Sequence, residues 1–421
     1  VATGKLTLFP LTMVVTGNMM GAGIFLLPSS LAGLGSISLL GWLITVVGAF
    51  LLSLIFVRLG SSCQQGIGIH AFISEGMGLR IGLVVIYGYW VSIWVGNIAV
   101  AISGVSYLSN FVPSLSDPWL ASLTGLVVIW FLSLLNMWDI RRIGQFQVVT
   151  TCCMLVPVIL TCLLGWGSFQ FENLLNSVNV TGKPTGFALS ESITLTLWSF
   201  IGLESACNLS SHAKNPSRDV PYATLLGTLI AGACYLVSTT TIMGVIPNDV
   251  LQYSAAPFSD AVSLLLGQWG GTLVGVLAVI ACLGSLNGWI LMHSQIACAA
   301  SRNGIMPAVF GRLNRFNSPW LGLLITAVLM SFMILLSVEP TVQEHYRVVT
   351  LTAVNIMLVI YLLAGISCWR ILRRSHQGLS TTWGIVILSA LAYCFWGLLS
   401  SESGIQTYLY ALLFNSAQAS P

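Results

Sequence analysis

The chain has 421 residues, of which 56% are hydrophobic and only 6% charged. A soluble domain carries about 25% charged residues to cover its water-facing surface, so this composition excludes a soluble enzyme or binding module and marks an integral membrane protein. The formal net charge of +3 decides little by itself, whereas its distribution along the chain decides more.

A transmembrane helix needs roughly 20 mostly apolar residues, which leaves room for about a dozen here. Apolar runs punctuated by Gly, Pro and charge fall at 8–33, 37–59, 80–112, 119–137, 145–167, 188–211, 221–245, 266–299, 319–338, 346–369, 380–400 and 404–415. They have helical length, unlike the alternating segments of about ten residues in an outer-membrane barrel. The last run is too short to span on its own. The first continues past any small-residue cleavage site and has no basic region before it beyond Lys5, so it does not read as a cleavable signal.

With a cytoplasmic N-terminus and alternating runs, Lys5, Arg58, Arg80, Arg141, Arg142, Lys214, Arg218, Arg302, Arg312, Arg315, Arg370, Arg373 and Arg374 fall inside. Only Lys183 and Arg347 fall outside, so nearly all of the 15 Lys and Arg obey the positive-inside rule. Asp117, Glu172, Glu191, Asp249, Asp260, Glu339, Glu344 and Glu402 fall outside or at that edge, and Glu75, Asp139 and Asp219 inside. Glu204 is the carboxylate left deep within a span. The connections are short, and the loop Ser301–Pro319 is basic and amphipathic, suited to the cytoplasmic surface.

Four stretches carry polar or helix-breaking groups at mid-depth. In the first run, GNMMGAGIF (Gly17–Phe25) reads either as a small-xxx-small packing face or as a break. Each glycine costs a helix about 1 kcal/mol relative to alanine, and Pro28 removes a further donor. Lipid cannot satisfy the freed backbone groups, so a break must line a cavity or meet a ligand. A half-helix starting near Ile24 would then aim positive partial charge at an anion such as a carboxylate.

The third run, YGYWVSIWVGNIAVAI, holds Tyr89, Trp90, Trp94 and Asn97; Asn97 suits either a ligand or a contact across helices. The sixth, LWSFIGLESA, places Glu204 beside Gly202 and Trp198. An intramembrane carboxylate is a functional-site signal, against which stands a protonated Glu bonded to neighbouring backbone. Two interrupted helices at corresponding positions of two halves point to an inverted-repeat transporter. In the eighth, ACLGSLNGWILMHSQ, Trp289 lies near the middle rather than in an interfacial belt, where it suits a cation through cation–π attraction or simply packs. His70, His293 and Tyr361 are weaker candidates. The ten cysteines form no C-x-x-C or Cys/His cluster, so neither a metal site nor a disulfide framework is supported. No H-E-x-x-H or G-x-S-x-G occurs, and His212, near Ser210 and Ser211, has no matching acid. An enzyme is therefore not expected, although a sensor without transport activity is compatible with the sequence.

GNMMGAGIFLLPSSLA (17–32), WVGNIAVAI (94–102), LWSFIGLESA (197–206), KNPSRDVPYA (214–223) and CLGSLNGW (282–289) together resemble, in order and spacing, the amino acid–polyamine–organocation superfamily. Within it, the similarity is to the basic amino acid/polyamine antiporter branch, which includes bacterial arginine/agmatine, lysine/cadaverine and ornithine/putrescine exchangers. The resemblance runs from residue 5 to about 400 and implies an all-α LeuT-like fold. Five helices (8–167) and five inverted helices (188–369) would be followed by two more (380–415), in a single domain of about 12 helices with the first and sixth broken. It implies a multi-pass protein of the bacterial inner membrane, often a homodimer, that exchanges a cationic amino acid for its decarboxylated amine. Such exchange pairs with a cytoplasmic decarboxylase in acid resistance or polyamine handling. No cofactor and no nucleic-acid partner is implied.

By the same resemblance, Met20, Gly21, Ala22 and Gly23 would hold the substrate carboxylate, and carbonyls of Trp198 and Ile201 its amino group. Trp289 would stack on the cationic side chain, Asn97 contact its polar end and Trp198 gate the site. Tyr89, Glu204 and Tyr361 would sense protons or gate. The chain departs from its relatives at Ala22 and Ala353, where serines are expected, at Ser92 and Ile93, which replace an Ala-Cys pair, and at His70, which takes a tyrosine position near the cytoplasmic gate. The alternative is a neutral amino acid exchanger or proton-coupled symporter of the same fold.

Overall fold

Backbone groups in lipid must find partners within the protein, which restricts an apolar chain of this kind to helices or a closed barrel. In a computed structural model, which describes residues 7–21, 23–62, 68–138, 140–204, 207, 213–302, 304–336, 338, 341–374 and 379–400, the described residues form helices and no strand. In chain order they are α1 (Leu8–Met19), α2 (Gly23–Ala32), α3 (Ser38–Ser62), α4 (Ile69–Met77), α5 (Leu79–Leu108), α6 (Pro118–Leu135), α7 (Ile140–Leu164), α8 (Phe171–Leu175) and α9 (Thr185–Leu197). There follow α10 (Pro216–Val245), α11 (Asn248–Leu251), α12 (Pro257–Leu266), α13 (Gln268–Arg302), α14 (Trp320–Leu336), α15 (Val342–Arg374) and α16 (Thr381–Ser400). Among the described residues, 8 segments are long and apolar enough to cross a membrane. Ala22, His212 and the run 404–415 lie outside the described residues.

Local chemistry sets several helix starts. Asp117 accepts from Trp119 N and Leu120 N, both at 3.0 Å, and Pro118 opens α6 where no donor is needed. At α10, the Asn215-Pro216 pair starts the helix, and Asp219 Oδ2 reaches back to Asn215 N at 3.2 Å. The short helices α4, α8, α11 and α12 occupy connections that the sequence reading left as loops; none has the length of a span. The basic segment after α13 is packed as well: Phe310 lies against Trp90, ring centroids 5.4 Å apart. Leu163, Leu336 and Leu399 are about 70% exposed, as lipid-facing side chains are.

Two interruptions shape the centre. The first run is two helices: α1 ends at Met19, Met20 N closes the last turn on Thr16 O at 2.8 Å, and α2 restarts at Gly23. The run at 188–211 stops at Leu197 and continues as a 3-10 turn, Trp198–Phe200. Gly202 then turns the chain at φ +110°, a left-handed value that favours glycine. Both breaks free carbonyls, and one tyrosine serves the two. Tyr235 Oη of α10 donates to Met19 O at 2.6 Å and lies 3.1 Å from Ser199 O. Trp42 of α3 stacks on the Tyr235 ring, centroids 5.1 Å apart, which fixes its direction. Around this centre, α5 packs against α13 and α15, and α10 against α1 and α3. Toward the end assigned to the outside, buried Glu191 of α9 forms an ion pair with Arg347 of α15.

Candidate substrate site

The two breaks, α5 and α13 enclose a cavity. The first break contributes Asn18, Met19 and Gly21, and the second Trp198 and Ile201. Helix α5 contributes Ser92, Ile93, Gly96, Asn97 and Val100, and α13 Ser285 and Trp289. The α5 residues recur at three- and four-residue spacing, and Ser285 and Trp289 are four apart, so each set forms one helical stripe. The room for the centre of a water-sized sphere is about 30 Å³, enough for a water or two and far less than an amino acid. Admitting a substrate therefore requires lining side chains to move.

The two half-buried indoles are the large movable pieces. Trp198 lies directly on α5: a Cβ at Gly96 would stand 2.7 Å from its Cη2 and 3.0 Å from its Cζ3. Trp289 bridges both breaks. Its Nε1 is 3.7 Å from the place a Gly21 Cβ would occupy, and its Cη2 and Cζ2 are 3.4 Å from that of Gly202. These are ordinary contact distances; the atom that a Cβ at Gly21 would overlap is Ser285 Oγ.

Beside the cavity, Glu204 is fully buried and carries three donors. Tyr89 Oη of α5 donates to Oε1 at 2.7 Å, and Tyr361 Oη of α15 donates to Oε2 at 2.9 Å. Gly202 N donates to Oε2 at 3.3 Å. One carboxylate therefore ties the second break to two helices. Protonation gives one of its oxygens an O–H donor and removes the negative charge, which weakens the hold on the tyrosines.

Of the other residues singled out in the sequence, Met20 is fully buried, and Ala353 stands one layer back, its carbonyl accepting from Ser92 Oγ at 3.1 Å. Gly23 opens α2. His70 is half-buried on α4, which packs on α5 and α15, and is not among the described cavity-lining residues; burial lowers its pKa below the ordinary 6.5. Asn97 Nδ2 lies 3.3 Å from His293 Nδ1, a contact the sequence reading did not anticipate. It also did not single out Asn18, Met19, Gly96, Val100 or Ser285 as lining residues. Helical spacing from Ser92, Asn97 and Trp289 was the available signal for Gly96, Val100 and Ser285.

Residues 6–419 match the family model described as amino acid permease. The chain is 37% identical to the cadaverine/lysine antiporter of Escherichia coli strain K12 over 335 residues, 79% of this chain and 74% of the relative. It is 33% identical over 362 residues to the putrescine transporter PotE of the same strain, 86% of this chain and 82% of the relative. PotE of Haemophilus influenzae strain Rd is likewise 33% identical over 362 residues, 86% of this chain and 83% of the relative. With its apolar helices and this likeness along nearly its whole length, the chain belongs to the amino acid permease family of the amino acid–polyamine–organocation superfamily, and is a multi-pass membrane transporter rather than an enzyme.

Proposed function

We propose that this permease exchanges a cationic amino acid, arginine, lysine or ornithine, for its decarboxylated amine, agmatine, cadaverine or putrescine, by alternating access. The observation that carries the reading is Trp289, whose indole spans both helix breaks at one cavity. A π face there attracts a cationic side chain, and Asn97 offers a polar contact. The first break, with α2 starting at Gly23, offers backbone N–H groups and a positive helix end to the carboxylate. The carbonyls of Trp198 and Ile201 suit the amino group. Trp198 is the element that moves to admit substrate, and Tyr89, Glu204 and Tyr361 form a proton-responsive latch. The relatives named for cadaverine, lysine and putrescine support the substrate class.

The proposed architecture is two inverted five-helix repeats, 8–167 and 188–369, with two further helices over 380–415. Placing the N-terminus in the cytoplasm of a bacterial inner-membrane protein follows from the inside excess of Lys and Arg. A homodimer working beside a cytoplasmic decarboxylase in acid resistance or polyamine handling completes the proposal.

One observation favours a second reading. Among the described residues, the cavity lining carries no charged side chain, and Ile93, Val100 and Ile201 are apolar, which also suits a neutral amino acid. Counterflow in proteoliposomes separates the two. Vesicles loaded with unlabelled lysine, ornithine, arginine, their amines or leucine are given labelled lysine outside. Stimulation by the cationic amino acids and amines, but not by leucine, is expected; stimulation by leucine alone overturns the proposal.

A further inference from the structure

On α13, His293 follows Trp289 by one turn and is fully buried. Its Nδ1 lies 3.1 Å from Trp289 O, an acceptor, and 3.3 Å from Asn97 Nδ2, a donor. A single ring nitrogen cannot serve both, since it either carries a proton or presents a lone pair. With Nδ1 bare, it accepts from the Asn97 amide nitrogen, and the opposite end of that carboxamide, Oδ1, is left for the cavity that Asn97 lines. With Nδ1 protonated, it donates to Trp289 O, and Asn97 must turn Oδ1 toward the ring and its NH2 toward the cavity.

The two arrangements suit different ligands. An ammonium or guanidinium head carries donors only, so it pairs with Oδ1 and is repelled by NH2. An aliphatic head is indifferent to the choice. We propose that His293 is a positioning residue: in its neutral form with the proton on Nε2, it holds Asn97 so that Oδ1 faces a cationic substrate, and thereby helps the site prefer a cationic head over a neutral one. This rests on the reading that the substrate is cationic and binds between the breaks. Among the described residues, the Nε2 atom is buried without a hydrogen-bond partner. In the proposed tautomer this orphan is a buried N–H, a cost that the hydrogen bond accepted by Nδ1 from Asn97 offsets.

The test compares apparent affinities of the purified protein for lysine and for norleucine, which has the same carbon chain and no terminal amine. His293→Leu, which removes both ring nitrogens, should lower the lysine-over-norleucine preference by about tenfold, the order expected of one hydrogen bond to a charge. His293→Asn, which keeps an acceptor near the Nδ1 position, should retain most of the preference. In an Asn97→Ala background, His293→Leu should change the ratio no further, because the effect runs through Asn97. A loss of preference that persists in that background overturns the inference. So does an unchanged ratio in His293→Leu while lysine remains preferred. Wild-type protein that does not prefer lysine overturns the cationic reading and this inference together. Should His293→Leu not fold, nitrogen NMR of histidine-labelled wild-type protein with lysine bound decides the matter. One signal, absent in His293→Asn, must report a neutral ring with bare Nδ1, and a protonated Nδ1 there overturns the assignment.

Discussion

Gly96→Ala tests the central geometry of the cavity. The added Cβ would meet Trp198 Cη2 at 2.7 Å and Cζ3 at 3.0 Å, while its next neighbour, Ala353 Cβ, is at an ordinary 3.9 Å. The overlap is thus with one rigid bicyclic ring, which cannot bend away as a flexible side chain does. Overpacking of this kind costs about 1–3 kcal/mol. The surrounding helix faces are buried, whereas the half-buried indole borders open space, so it is Trp198 that shifts, into the cavity. The cost then falls on substrate binding rather than on the fold: roughly 5- to 150-fold weaker apparent affinity, with a near-normal melting temperature. Equilibrium binding of labelled lysine, read beside thermal unfolding in detergent, separates the two. In a Trp198→Ala background the same substitution should be nearly silent, since contacting residues couple strongly. Wild-type affinity in folded Gly96→Ala protein, or an equal loss in the Trp198→Ala background, would refute the reasoning.

Glu204→Gln keeps one acceptor for a tyrosine and removes the titrating proton. It should flatten the pH profile of exchange in proteoliposomes, and an unaltered profile would place the proton response elsewhere. Tyr235→Phe preserves the stack on Trp42 and deletes the donor shared by Met19 O and Ser199 O. Leaving buried carbonyls short of a partner should cost about 1–3 kcal/mol, visible as a lowered melting temperature; a wild-type value would mean that the breaks are held by other contacts. His70 has a folded pKa depressed by burial below the ordinary 6.5. The unfolded chain therefore binds the proton first, so stability present at neutral pH falls as pH drops below about 6.5 and through the folded value. His70→Tyr should remove that share of the acid-induced loss of thermal stability, and equal slopes in both proteins would discount it.

The amino-acid sequence by itself determined the solvent. An apolar chain with so few charges can satisfy its backbone in lipid only as helices or a closed barrel, and run length points to helices. The boundaries of the long runs at 80–112, 266–299 and 346–369 fall within a few residues of α5, α13 and α15. The sequence also flagged both interruptions, with a packing face left open at the first, because clustered glycines and a carboxylate deep within a span are local signals. GNMMGAGIF is a break between α1 and α2, and the run through Glu204 stops at Leu197. Tertiary structure decided the partners. Glu204 is held by Tyr89 and Tyr361, 115 and 157 positions away, and Asn97 meets His293, 196 positions away. Ala353 stands behind Ser92, and Tyr235 joins carbonyls of two separate breaks. The physical reason is that helical periodicity assigns residues to a face of their own helix, whereas the face each one meets depends on how helices remote in the chain cross.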